Sequence, residues 1–146
     1  IDGFLLNMNR LFEDFVAAAL REAYRDTGLL CRLQDPHHLD EARTIRIRPD
    51  FVLYGPDHRP RAVADAKYKA ERPDGHPDAD LYQMLAYCTA LGLGEGHLVY
   101  AKGNAPHAAH RIRHAGVVIH QHALDLDQAP AGLLGEIRSL ARRMAS

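Results

Sequence analysis

The run Gly55-Pro56-Asp57-His58-Arg59-Pro60 constrains this chain more than any other feature. Prolines at both ends of a glycine-led polar stretch favour a turn and exclude helix. On either side, Ile45 to Tyr54 and Ala62 to Lys69 carry the apolar and β-branched residues of extended strands. A hairpin follows, and its apolar faces must be covered by something else in the chain.

Helices supply the cover. Asn7 or Asn9 is placed to cap a first helix in which Leu11, Phe12, Phe15, Val16, Ala19, Leu20, Ala23 and Tyr24 recur at helical spacing, with Gly28 closing it. A second helix is expected from about Asp78 to Leu91, after the loop from Arg72 to Pro77, and Gly92, Gly94 and Gly96 end it. A third runs from Ala131 to Met144. Leu29 to Leu33 suits a short buried strand, Gln34 to Ala42 a polar loop, and His97 to Ala101 and Val117 to His122 two further strands. The order helix, three strands, helix, two strands, helix predicts an α/β fold: a mixed sheet flanked by helices.

The 146 residues, 47% hydrophobic and 25% charged, suit a single domain spanning 1–146 with a core that needs no disulfide or metal staple. The start at Ile1 suggests a piece of a longer chain. No stretch approaches the roughly 20 apolar residues of a membrane span, and no secretory leader is recognisable. Cys31 and Cys88 are too far apart for a CxxC metal site or a disulfide framework, which suits a reducing cytoplasm. A net charge of −1 argues against a generic nucleic-acid coat. Between Arg43 and Arg72, however, eight basic residues stand against four acids.

The chemistry concentrates in the hairpin. Side chains alternate along a strand, so Asp65 and Lys67 share one face and Ala64, Ala66 and Tyr68 the other. If the hairpin is symmetric about Asp57-His58, Asp50 faces Asp65, Arg48 faces Lys67 and Arg46 faces Lys69. Two carboxylates about 4 Å apart repel by about 4 kcal/mol at an effective dielectric near 20, and directly opposed like charges weaken a sheet. A divalent cation resolves the acidic pair, since Mg²⁺ accepts carboxylates, phosphate and water. A polyanion resolves the basic pairs. Glu13, at the border of the first helix's apolar stripe, is positioned to add a further acid, while Gln83 and Tyr87 share a face of the second helix. Acids for a metal beside bases for phosphates point to phosphodiester chemistry.

These residues carry a resemblance. Pro49-Asp50 followed by Asp65-Ala66-Lys67, with Glu13 before them and Gln83-x-x-x-Tyr87 after, resembles the PD-(D/E)xK nuclease signature, and the αβββαβ order agrees with that restriction-endonuclease-like core, here with an extra strand and a C-terminal helix. More narrowly, Leu5 to Val16, Ile47 to Tyr54, Val63 to Lys69 and Asp80 to Cys88 resemble the nuclease domain of McrC, the cleaving subunit of McrBC-type modification-dependent restriction systems. The resemblance implies that Asp50, Asp65 and the Ala66 carbonyl bind Mg²⁺, with Mn²⁺ able to substitute, and that Glu13 contributes to the metal or water shell. Lys67 would orient or deprotonate the attacking water, or offset charge on the phosphate. Gln83 and Tyr87 would support, and Arg46, Arg48 and Lys69 are the candidates for DNA phosphates. It further implies a bacterial or archaeal host, a partner AAA+ GTPase of the McrB type that recognises 5-methylcytosine DNA and alone uses GTP, and a dimer or larger assembly for cutting both strands.

Two rivals stay open at this stage: a DNA-binding or assembly module on the same fold, and a related nuclease acting on other nucleic acids. The histidines His37, His38, His107, His110, His114, His120 and His122 are read as solvated or turn residues, for want of a third ligand at a recognisable spacing. Arg138, Arg142 and Arg143 are read as a solvated helix edge.

Overall fold

The computed structural model describes residues 3–69, 78–101 and 107–146. Its elements are α1 (Gly3–Ala23), β1 (Leu30–Leu33), β2 (His37–His38), β3 (Arg46–Ile47), β4 (Phe51–Tyr54), β5 (Pro60–Lys67), α2 (Asp78–Leu91), β6 (Glu95–Ala101), β7 (Ala108–Ile112), β8 (Val117–Leu124) and α3 (Pro130–Ala145). Six strands form a mixed sheet in the order β1-β4-β5-β6-β8-β7, and β2 and β3 form a separate ribbon. The α/β class and the helix-flanked mixed sheet are as expected.

Alternation along the strands divides the core into two layers. On one face Phe12, Val16 and Leu20 of α1 and Ile137, Leu140 and Met144 of α3 pack on Leu53, Ala64, Ala66 and Val99. The alanines of β5 let α1 lie close to the sheet, and the Tyr24 hydroxyl donates to the Ala141 carbonyl at 2.7 Å, tying the two helices together. On the other face Met84, Tyr87 and Cys88 of α2 cover Val52, Val63, Leu98, Tyr100 and Ile119. Gly96 permits this approach, because a Cβ there would stand 2.6 Å from Met84 Sδ and from Cys88 Sγ. The helix that carries Gln83 and Tyr87 is thereby pressed onto the strand beside β5.

The hairpin register is the expected one over Phe51↔Ala64, Val52↔Val63 and Leu53↔Ala62, with a shift at Leu53/Tyr54 that pairs Tyr54 with Pro60. The expected continuous strand from Ile45 to Tyr54 is broken, however. Pro49 has no N–H to extend a ladder, and the carbonyls of Pro49 and Asp50 accept from Asp35 and Gln34 at 3.1 and 2.9 Å. The chain before Pro49 turns away, and β3 pairs antiparallel with β2, His38 opposite Arg46. The expected Arg48/Lys67 and Arg46/Lys69 pairs are therefore absent from the ladder.

Three smaller expectations are corrected. Asn7 and Asn9 lie inside α1 rather than capping it, and the Asn9 side chain accepts from the Tyr68 N–H at 2.9 Å. The strand around Leu30 is an edge strand with Leu30 46% exposed, because nothing pairs beyond it. β2 occupies a segment expected to be a loop, and β7 lies between the last two expected strands where none was expected, their polar residues having hidden short strands of edge character. The expected loop from Arg72 to Pro77 lies outside the described residues.

Candidate active site

Asp65 sits in the interior of β5, 4% exposed, where neighbouring strands on both sides exclude water. Asp50 is half-buried at the start of β4, beside the break at Pro49. The two interlock through the backbone: the Asp50 N–H donates to Asp65 Oδ1 at 2.9 Å, and the Ala66 N–H donates to Asp50 Oδ2 at 3.0 Å. Burial, and next the Asp50 charge, push the Asp65 carboxyl well above its usual range. Like charges held in a poorly hydrated place are what a cation would stabilise.

Glu13 joins the pair through a residue the sequence reading passed over. The Gln34 side-chain amide donates both to Glu13 Oε1 at 2.7 Å and to Asp50 Oδ1 at 3.0 Å. Burial, followed by the nearby Asp50, raises the Glu13 carboxyl to about 7. Gln34 itself stands at φ 51°, a left-handed conformation that disfavours side chains with a Cβ. Such backbone strain persists where the surroundings over-determine it; here backbone and side-chain bonds to Asp50 do so.

Lys67, at the end of β5, places Nζ 3.6 Å from Asp65 Oδ2 and 4.0 Å from Asp80 Oδ1. Asp80 is 1% exposed and accepts from the Tyr100 hydroxyl at 2.9 Å. Asp80 was missed, although a signal existed: it falls four residues before Met84 and seven before Tyr87, on the buried face of α2, where a lone acid needs a partner. Tyr87 is buried, and its hydroxyl is raised by burial and then by Asp65, Asp50 and Glu13, which places it in the field of all three acids. Gln83, one turn earlier, is exposed. Lys69 is exposed just past β5, while Arg46 and Arg48 stand on and beside the ribbon strand β3.

The structure thus brings together Glu13, Asp50, Asp65, Lys67 and Tyr87, adds Gln34 and Asp80, and leaves Arg46 and Lys69 outside the cluster. The donor set is one of hard oxygens and suits a hard divalent cation. Among the described residues no three His, Cys, Asp or Glu side chains close on one point as they stand. The Gln34 amide lies between two of the carboxylates instead.

The histidines correct the sequence reading. His97, His120 and His122 stack between the sheet and α3, with centroids 5.1 Å apart for His97 and His120 and 5.2 Å for His97 and His122. His97 Nδ1 lies 3.0 Å from His122 Nε2, and His120 is held between Glu95 at 2.6 Å and Arg143 at 3.3 Å. Solvation does not describe His120 and His122, whereas Arg143 is exposed, as expected of the α3 edge, and reaches in to His120; the cross-strand register His97↔His120 that assembles the stack is a long-range property.

Three comparisons bear on this arrangement. The family model described as McrBC 5-methylcytosine restriction system component matches residues 1–101. No curated protein matches the sequence at the significance applied. Among solved structures, the chain is similar to one in the refined half-complex from the tetradecameric assembly of Thermococcus gammatolerans McrB AAA+ hexamers with bound McrC, at a TM-score of 0.72 and 16% identity over 94% of this chain and 33% of that one. At that identity the likeness shows the shared restriction-endonuclease-like fold, and this chain spans about a third of the relative's length. Both findings agree with the McrC resemblance of the four sequence blocks. With residues 1–101 of its 146 matched, the chain belongs to the McrBC 5-methylcytosine restriction system component family.

Proposed function

We propose that this chain is the nuclease part of a McrC-like subunit and hydrolyses DNA phosphodiesters with Mg²⁺, for which Mn²⁺ substitutes. The carrying observation is the interlocked Asp50–Asp65 pair, with Lys67 Nζ 3.6 Å from Asp65 and Glu13 joined to Asp50 through Gln34. Asp50, Asp65 and the Ala66 carbonyl would hold the ion, with Glu13 on the water side. When bound, the ion polarises the phosphate and makes water a better nucleophile near neutral pH.

The remaining work falls to the chain itself. Lys67, held between Asp65 and Asp80, presents its ammonium where charge builds on the non-bridging phosphate oxygens. Glu13, with its raised pKa of about 7, is matched to accepting a proton from the attacking water near neutral pH. The water gives one proton to Glu13 as its oxygen forms the new P–O bond, one bridging P–O bond breaks, and the leaving alkoxide takes a proton from solvent. Tyr87, buried on α2 in the field of the acids, would support their placement, and Gln83, exposed one turn earlier, would support from the solvent side.

In this reading a McrB-type GTPase supplies recognition of modified DNA and is the component that uses GTP. Support comes from the family and from the structural relative, which belongs to an assembly of McrB AAA+ hexamers with bound McrC. The test is Mn²⁺ binding followed by electron paramagnetic resonance, with a short DNA duplex, for wild type and Asp65→Ala. It is joined to cleavage assays with the cognate GTPase. Binding and cleavage both lost in Asp65→Ala are expected; undiminished metal-dependent cleavage by that variant refutes the assignment.

A further inference from the structure

Residues 34–48 leave the sheet and return to it as an arm built on the β2–β3 ribbon. Its root is fixed by the Gln34 and Asp35 N–H groups on the carbonyls of Asp50 and Pro49. Its middle is fixed by His37, which bonds Asp35 at 2.9 Å and the Tyr54 hydroxyl at 3.1 Å. At the tip Asp40 accepts from the N–H groups of Thr44 and Ile45 at 2.9 and 2.7 Å, and the Leu39 N–H donates to the Ile45 carbonyl at 2.9 Å. An arm pinned at root, middle and tip is a rigid projection rather than a loose loop.

The arm holds three acids and three arginines, but Asp35 bonds His37 and Asp40 the backbone of Thr44 and Ile45, so the charge left on its β3 side is positive. Arg46 and Arg48 are exposed, and among the described residues neither guanidinium forms a salt bridge with a carboxylate. His38 lies opposite Arg46 across the ribbon. Two cavities meet at Arg48. One, of about 500 Å³, is walled by Pro36, His38, Arg46 and Arg48. The other, of about 710 Å³, is walled by Arg10, Glu13, Asp14, Gln34 and Arg48. Arg48 is also close enough to the acids' side of α2 to draw the Tyr87 hydroxyl's pKa down against their push. The two cavities, sharing Arg48 as a wall, form a trough that carries Arg46 in one half and Arg10 with Glu13 in the other.

We propose that this trough is the track for one backbone of the nucleic acid, and that the 34–48 arm is the element gripping it, through Arg46 and Arg48 on successive phosphates leading to the carboxylates. The proposal rests on the nuclease reading for the identity of the polyanion and adds the surface that holds it. Phosphate contacts position a duplex without reading its bases, which leaves recognition of the modified base to a partner. Asp14, the acid on the Arg10 side, limits the grip at that end and makes the arm the stronger half.

The experiment measures binding of a fluorescein-labelled DNA duplex by anisotropy over a range of salt, without a divalent ion so that nothing is cut. Wild type, Arg46→Ala/Arg48→Ala, Arg46→Lys/Arg48→Lys and an Arg138→Ala control on the far helix are compared. Each phosphate contact contributes about 0.9 to the slope of log K against log salt, so the double alanine variant should lose about 2 from that slope. The double lysine variant should keep it, because lysine still supplies the charge, and Arg138→Ala should match wild type. An unchanged slope in the double alanine variant, or an equal loss in Arg138→Ala, overturns the proposal. Wild-type cleavage with an unchanged slope overturns the arm alone; an arm-dependent slope with no cleavage under any condition overturns the nuclease reading alone.

Discussion

Acid should unfold this protein partly through two histidines remote from the candidate active site. His97 and His122 are packed between the sheet and α3, where burial holds them neutral first, helped by His122, His120 and Arg143 at His97 and by Arg143, His120 and His107 at His122; their pKa values fall from 6.5 to about 3 and about 4. Glu95 on His120 and Glu136 on the neighbouring cavity wall are the acids facing the cluster, and neither bonds the His97–His122 pair among the described contacts. A histidine whose folded pKa is depressed takes up its proton on unfolding. Its stabilising contribution is complete above the unfolded pKa near 6.5 and is lost as pH falls toward the folded value. At pH 5 unfolding should therefore take up about two protons at this pair, a slope of roughly 2.6 kcal/mol per pH unit, and between pH 6.5 and 5 the pair should remove about 3 kcal/mol. Glu13 and Asp65 act in the opposite direction, since their raised carboxyls are relieved by protonation over the same interval. The diagnostic quantity is thus a difference: urea unfolding followed by circular dichroism at several pH values, for wild type and His97→Gln/His122→Gln. The variant should show a stability that falls less, or rises more, on acidification, by about 3 kcal/mol over that span. Parallel curves would refute the buried-neutral assignment whatever the absolute stabilities, and each single variant should show about half the effect.

Three further outcomes follow from the site and its support. Asp65→Asn keeps an oxygen for the Asp50 N–H but removes a buried like charge, so the metal-free protein should gain about 1–2 kcal/mol at pH 8 and less at pH 5, by thermal unfolding, while cleavage is lost. Asp80→Ala removes the acceptor of the Tyr100 hydroxyl and a carboxylate beside Lys67. It should cost about 1–3 kcal/mol and lower turnover more than DNA affinity, with Asp80→Asn recovering most of the stability but not the turnover. Gly96→Ala sets a methyl group 2.6 Å from two sulfur atoms of α2 and should cost about 1–3 kcal/mol through overpacking, read as a lower urea midpoint at unchanged slope.

Much of this architecture was legible because its signals are local. The turn from Gly55 to Pro60 specified the hairpin and its register, and the periodicity from Asp78 to Leu91 coincides with α2. What escaped depended on contacts between distant segments. Gln34 looks like any polar loop residue until the chain folds back and sets it between Glu13 and Asp50, 21 and 16 residues away. His97 reads as one polar residue in an apolar strand, and its stack with His120 and His122 exists only once β6 and β8 pair in parallel. Asp80 is the exception, since an acid on the apolar face of a helix is a visible anomaly, and its partners Tyr100 and Lys67 were already in the sequence to be asked for.

The break at Pro49 shows why the site and the arm occur at the same place. Had Ile45 to Tyr54 run on as one regular strand, Arg46 and Arg48 would have faced Lys69 and Lys67, four cations crowded onto one ladder beside two acids. Pro49 ends the ladder instead, and at that point the strands exchange backbone pairing for side-chain pairing: the Asp50 N–H bonds the Asp65 carboxylate, and the Ala66 N–H bonds the Asp50 carboxylate. The same break sends β3 outward to pair with β2, which carries Arg46 and Arg48 from the hairpin to the wall of the trough. A single residue without an N–H thus separates the bases from the acids by moving one set off the sheet, and on the proposed reading each set then meets the same phosphate backbone. Local departures from regular structure are expected where a chain trades stability for function, and on the nuclease reading Pro49 is where this one does so. Replacing it would be felt at both ends of the trade: an N–H at position 49 would favour the continuous ladder, drawing the arm inward and the four cations together.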